Sequence, residues 1–230
     1  MNELVIKDKS REGLTGAKFL QPFRLFHPAN THAIAKVNAF QNISIQKINE
    51  LLGLDIQGII LDIDECVAPH HGEILPENIA KISEMIKEGI KLVIYSNMEA
   101  TDRYNPLIET VRSETGYTIK IMTNIPAKPD PEGFKACEQE LVLPPEKIAM
   151  IGDNLLTDGG AIRVGMHFIK VKPIKSPETS GKRRIQKGFR TMAEGLSNFH
   201  DRLTQRRVLT DVDLHENVAS ANPDALRNAG

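Results

Sequence analysis

Asp62 and Asp64 stand one residue apart at the end of the apolar run Ile59-Ile60-Leu61. A short Ile-rich run bounded by turn-type residues reads as a fully buried strand. Carboxylates at the end of such a strand resist leaving water, so something must compensate them, and a divalent cation is the usual answer. Residues two apart in a strand face the same way, so both acids can address one site just past the strand end. Taken alone, the pair is also open to another reading, a turn in which Asp64 caps the following loop. Three further runs end in polar residues. The run 91–95 stops at Ser96-Asn97. The run 119–122 leads into a loop with three prolines whose only cation is Lys128. The run 147–151 stops at Gly152-Asp153, with Asp158 five residues beyond.

Four carboxylates brought together repel, and some take up protons unless a cation sits among them. Aspartate oxygens are hard ligands that suit Mg²⁺ better than zinc. Mg²⁺ and a lysine together clamp phosphoryl oxygens, and the Ser96 hydroxyl with free backbone N–H groups completes such a clamp. One Asp can then attack phosphorus to give an acyl phosphate. A second, two positions on, can protonate the leaving oxygen and afterwards activate water.

The elements between these runs must bring them to one place. Ile45, Ile48, Leu51 and Leu52 fall at helical spacing, with Gly53 as a stop. Pro76 suits a helix start, Ile79, Ile82, Met85 and Ile86 form one apolar stripe, and Gly89 closes it. Leu107, Ile108 and Val111 predict a helix ending near Gly116. Phe134, Cys137 and Leu141 predict another, and a short helix through Ile162 and Val164 leads to a strand at 167–171. Strand and helix alternate, which predicts an α/β fold: a parallel sheet with helices on both faces. In such sheets ligands bind at the carboxyl ends of the strands, where all the polar residues above fall.

Asp62-Ile63-Asp64, Ser96-Asn97, Lys128 and Gly152-Asp153-x-x-x-Thr157-Asp158 resemble the four ordered motifs of the haloacid dehalogenase superfamily. The match runs from about Gly58 to Val171. The resemblance implies a Rossmann-like sheet in the order 5-4-1-2-3, with Asp62 as nucleophile and Asp64 as general acid/base. It implies that Ser96, the Asn97 backbone and Lys128 hold phosphate. Asp62, the Asp64 carbonyl and Asp153 would bind Mg²⁺, with Asp158 in support. Two departures stand beside the site: Cys66 where the family often has Thr or Val, and Glu65 where it often has Asn. Glu65 adds negative charge there.

The stretches between motifs hold one helix each, leaving no room for a substantial cap domain. An uncapped site suits a phosphate on something large. Gly58 to Asp62, Ala127-Lys128-Pro129 and Gly152 to Asp158 are similar to the capless type III subgroup, which includes phosphatidylglycerophosphate phosphatases. That resemblance implies dephosphorylation of phosphatidylglycerophosphate in phospholipid synthesis. A soluble metabolite, a protein or a nucleic-acid end remains an alternative substrate, and a non-catalytic binding protein an alternative class. Nucleic acid is not the first choice.

Composition sets the outer bounds. The chain has 230 residues, 40% hydrophobic and 26% charged, with a net charge of −1, so no global attraction to polyanions is implied. Its two cysteines, Cys66 and Cys137, sit in apolar surroundings and suggest reduced thiols in a cytoplasmic compartment. Met1 to Ser10 lacks the layout of a secretory signal, and no run reaches membrane-spanning length. His70 and His71 read as loop residues at the site rim. Residues 170–190 carry eight Lys or Arg against Glu178 alone, either a solvated basic loop or a patch that attracts anionic lipid. Phe19, Phe23 and Phe26 would then be further anchors at a peripheral membrane surface. Phe189, Met192, Leu196, Phe199 and Leu203 form a stripe expected to pack on the core. The expected organisation is an N-terminal arm over 1–50 that packs on the core or contacts a membrane, the phosphatase domain over 51–204 and a polar tail over 205–230.

Overall fold

Six parallel strands form one sheet in the order β1-β6-β5-β2-β3-β4. They are β1 (Ala35–Val37), β2 (Gly58–Leu61), β3 (Lys91–Ile94), β4 (Lys120–Ile121), β5 (Ile148–Gly152) and β6 (His167–Val171). The structure, a computed structural model, describes His27 and residues 30–98, 102–175 and 181–215, without the side chains of 181–187. Three features read from the sequence therefore lie outside the described residues: the phenylalanines before residue 27, part of the basic segment, and the chain after residue 215. Counted from β2, the five strands other than β1 run 5-4-1-2-3, the expected order.

The helices are α1 (Ile45–Leu52), α2 (Pro76–Lys87), α3 (Asn105–Thr115), α4 (Pro131–Leu141), α5 (Gly181–Thr204) and α6 (Asp211–His215). Their ends follow the local chemistry. Gly53 and Gly116 close α1 and α3 in the left-handed conformation, which a residue without Cβ adopts at least cost. Ser44 and Asp130 cap α1 and α4 by accepting from the amides of Lys47 and Glu132.

Alternate residues of β2 feed two cores. Ile59 and Leu61 pack with α1, α2 and α3 on one face. Ile60 packs with Tyr95, Phe134, Met150 and Phe168 on the other, under α4 and part of α5. The result is three layers, and no inserted cap is present among the described residues. Cys66 and Cys137 are free and buried, and burial pushes the Cys137 thiol up to about 12.

The sheet also takes in chain from either side of residues 50 and 204. The aperiodic N-terminal region supplies the edge strand β1, paired with β6. Leu209 bridges Ala35 from the opposite side of β1 and is fully buried. Three residues are too few to show a strand period, which is why β1 is silent in the sequence.

One expectation is overturned. Of the stripe from Phe189 to Leu203, Leu196 alone packs against the core, while Phe189, Met192, Phe199 and Leu203 are exposed. The sheet-facing side of α5 is taken by Arg190, Ala193, Ser197 and His200, and the polar groups among them find buried partners. Ser197 Oγ donates to Thr31 O at 2.8 Å, and His200 Nδ1 lies 3.0 Å from Thr31 Oγ1. Satisfying these groups fixes the helix's rotation and leaves the larger apolar side chains outward.

Candidate active site

Strand register brings the polar residues together. Leu61 pairs with Ile94 on one side and Ile151 on the other. The residues just past each strand, Asp62, Ser96 and Asp153, therefore emerge at one edge. Backbone bonds continue the ladder across this step: Asp62 N–H donates to Ile151 O at 2.9 Å and Tyr95 N–H to Leu61 O at 3.0 Å.

Lys128 is the centre of the site. It is fully buried, and its ammonium lies 2.8 Å from Asp62 Oδ1 and 2.7 Å from Asp158 Oδ1. Burial alone would lower its pKa, but Asp158 and Asp62 outweigh burial and raise it, so Lys128 is charged. The loop that carries it is held by Asn97, whose side-chain oxygen accepts from Lys128 N–H at 2.8 Å and whose amide donates to Lys128 O at 3.1 Å. Asn97 thus positions the lysine through its side chain. Ser96 is buried beside it, its hydroxyl accepting from Met98 N–H at 3.2 Å.

Asp62, Asp153 and Asp158 offer carboxylate oxygens that all lie within 4.8 Å of one another, and all three are buried. Gly152 permits this approach: a Cβ there would sit 2.2 Å from Asp158 Oδ2. Asp158 is fixed further by the Asn154 amide, which donates to Oδ2 at 3.0 Å. Burial, aided by Asp158 and opposed by Lys128, pushes Asp62 up to about 7. Burial also raises Asp153 well above the usual carboxylate range, against the pull of Arg190. Two buried acids that resist ionisation beside hard oxygen donors form a place where one more positive charge is favourable. The cluster therefore suits a hard divalent metal ion.

The Asp64 carboxylate is not part of this cluster. Its carboxylate forms a two-pronged pair with Arg103, at 2.6 and 3.0 Å, and Oδ1 also accepts from His71 N–H at 2.8 Å. Any part for Asp64 in holding metal would fall to its backbone carbonyl. His71 is exposed at the rim, and His70 packs edge-on against it.

Two arginines escaped the sequence reading. Arg103 follows no motif and sits in a short turn before α3. Arg190 belongs to α5, some thirty residues after the last motif, and its guanidinium lies 3.0 Å from Asp153 Oδ2 while also pairing with Glu65. The charge that Glu65 adds is thus answered within the protein. Asp153 and Glu65 hold the Arg190 pKa up despite its burial. The only signal for Arg190 was its place in the basic segment.

Comparison with known proteins follows from this geometry. A family model described as mitochondrial PGP phosphatase matches residues 19–167. None of the curated proteins compared matches the chain. Solved structures similar to it include an uncharacterised protein from Listeria monocytogenes, 16% identical, covering 55% of this chain and 88% of that one, with a TM-score of 0.40. The core domain of a putative phosphoglycolate phosphatase from Streptococcus pneumoniae is 18% identical, covering 58% and 97%, at 0.38. The cobalt-bound deoxy-D-mannose-octulosonate 8-phosphate phosphatase from Haemophilus influenzae is 16% identical, covering 62% and 91%, at 0.37.

Proposed function

Because this chain belongs to the mitochondrial PGP phosphatase family, a phosphatase family of the haloacid dehalogenase type, we propose that it removes the terminal phosphate of phosphatidylglycerophosphate through an aspartyl phosphate on Asp62. The observation that carries this reading is the meeting of Asp62, Lys128, Asp153 and Asp158 at one strand edge inside the matched region.

In this mechanism a free oxygen of Asp62 attacks phosphorus. Lys128 neutralises the phosphoryl oxygens and opposes the burial that favours the protonated form of Asp62. The Ser96 hydroxyl and the Asn97 backbone bind the remaining phosphoryl oxygens. Asp64, held by Arg103, protonates the leaving glycerol oxygen and then takes a proton from the water that opens the acyl phosphate. Mg²⁺ is the metal this donor set suits; Asp62, Asp153 and the Asp64 carbonyl would hold it, with Asp158 in support. Bound there, it supplies charge stabilisation for the transferring phosphoryl group.

With no cap among the described residues to enclose a small substrate, the open edge suits a headgroup presented by a bilayer. No helix among the described residues is long and apolar enough to cross a membrane. Our reading is therefore of a peripheral enzyme, drawn to anionic lipid at the inner membrane face by the basic segment 170–190, which carries about 1 kcal/mol of attraction per charge close to the surface.

A phosphate-release panel tests the reading, with and without Mg²⁺, using phosphatidylglycerophosphate, soluble sugar and nucleotide monophosphates, and a phosphopeptide. Metal-dependent release with preference for the lipid is expected. Equal turnover of the soluble esters would move the substrate to a soluble class. No turnover of any ester would leave a binding protein.

A further inference from the structure

Helix α5 is amphipathic in the unexpected sense: it turns its apolar stripe to solvent. Phe189 is 47% exposed, Met192 41%, Phe199 59% and Leu203 65%, and among the described residues these are four of the six exposed large apolar side chains. Their spacing of three and four residues, with half-buried Leu196 between them, places them along one side of the helix. The stripe runs over fifteen residues, about 21 Å from end to end at 1.5 Å per residue. An exposed apolar band of this kind marks an interaction site.

Three observations identify what covers it. First, the rotation of α5 is fixed by polar contacts on its other side: Lys36 Nζ reaches Asp201 at 2.7 Å and Asn198 at 2.8 Å, and Ser197 bonds to Thr31. The outward stripe is therefore built into the helix's seating. Second, the stripe begins at the active site, because Arg190, the neighbour of Phe189, pairs with Asp153. Third, the chain leading into the stripe is strongly basic, with eight Lys or Arg against one acid over residues 170–190. A second copy packed on this helix would bring like charge against like charge, whereas an anionic lipid surface complements it.

We propose that α5 lies in the membrane interface, with Phe189, Met192, Phe199 and Leu203 entering the boundary between headgroups and acyl chains of an anionic bilayer. This rests on the lipid-phosphatase reading and adds to it the surface that brings the site to headgroup level. Charge attracts the chain to the bilayer, and the stripe holds it there with the end of the Arg190–Asp153 pair facing the lipid. A helix whose polar face is seated on protein and whose apolar face is free has the layout expected of an interfacial anchor.

The chain has no tryptophan, so one introduced indole reports without background. Phe199→Trp is compared with Glu88→Trp, an exposed position at the amino end of β3. Both full-length variants are titrated with vesicles of phosphatidylcholine alone or with phosphatidylglycerol, some carrying brominated acyl chains. A blue shift and bromine quenching at position 199, absent at 88 and strongest with phosphatidylglycerol, is expected. The double variant Phe199→Ser/Leu203→Ser should lose about tenfold or more in vesicle partition, from the apolar surface removed. Thermal melting checks that it is folded. Unquenched emission at 199, or a blue shift that grows with protein concentration in the absence of lipid, overturns the proposal, the latter in favour of a second copy. Wild-type turnover is read separately. Lipid quenching without any phosphate release would sink the phosphatase reading alone, and release without quenching would sink the docking surface alone.

Discussion

The acids at the carboxyl edge of this sheet fall into two sets that are neutralised from opposite directions. Asp62 and Asp158 are met from inside by Lys128, a fully buried lysine on the loop after β4. Asp64, Glu65 and Asp153 are met from outside by Arg103 and Arg190, which arrive from a turn before α3 and from α5. The inner set is locked by its own fold: Lys128 cannot leave without stranding two buried carboxylates. The outer set is held by two long arginine side chains, Arg103 mostly buried and Arg190 part-exposed, which can exchange partners when substrate or metal arrives. The difference separates what must stay fixed through the reaction from what must yield to it.

The comparison is broken most severely at its centre. Asp62→Asn should lower kcat by about 10³-fold or more, since an amide cannot form the acyl phosphate, while the chain stays folded. Phosphate release together with a thermal melt measures both. Lys128→Ala should cost about 3–5 kcal/mol of stability, because Asp62 and Asp158 are left buried without their cation. A denaturation midpoint reads this directly.

Stability should also respond to pH through one buried acid of each set. Asp62 is raised by burial from 3.8 to about 7, and Asp153 is raised as well. The native chain then keeps protons that the unfolded chain has released. The contribution of these acids is therefore largest at low pH and is lost as pH rises from about 4 through 7. Melting without metal should fall across that window, and added Mg²⁺ should restore more stability at pH 8 than at pH 5.

Smaller effects sharpen the outer set. Arg103→Ala should lower kcat by about tenfold, more than it raises KM, since it frees Asp64 without touching bound phosphate. Arg190→Gln should tighten metal binding by about three- to tenfold by removing a competing cation from Asp153. Calorimetric titration with Mg²⁺ or Mn²⁺ measures it.

Lys128 and the acids around it were largely legible in the sequence, and the two arginines that meet the outer set were not. Asp62, Lys128, Asp153 and Asp158 each sit at or just past the end of an apolar run, so the strand pattern that built the sheet also announced its polar edge. Their meeting follows from the parallel register of β2, β3 and β5. Arg103 and Arg190 carry no such mark, because a long flexible side chain can reach a site from many places, and which place depends on how α3 and α5 are seated. The strand β1 was hidden by its shortness, and the outward stripe of α5 by an assumption that apolar faces turn inward. Here buried hydrogen bonds to Thr31 and the pairing of Lys36 with Asp201 hold the opposite face down.

The central claim is that Asp62 takes the phosphoryl group. Purified protein should be mixed with Mg²⁺ and phosphatidylglycerophosphate labelled in its terminal phosphate, quenched in acid within one turnover and digested. The account predicts label on the peptide containing Asp62, released by hydroxylamine and missing in Asp62→Asn. Turnover that continues in that variant, or label carried by a different residue, would contradict it.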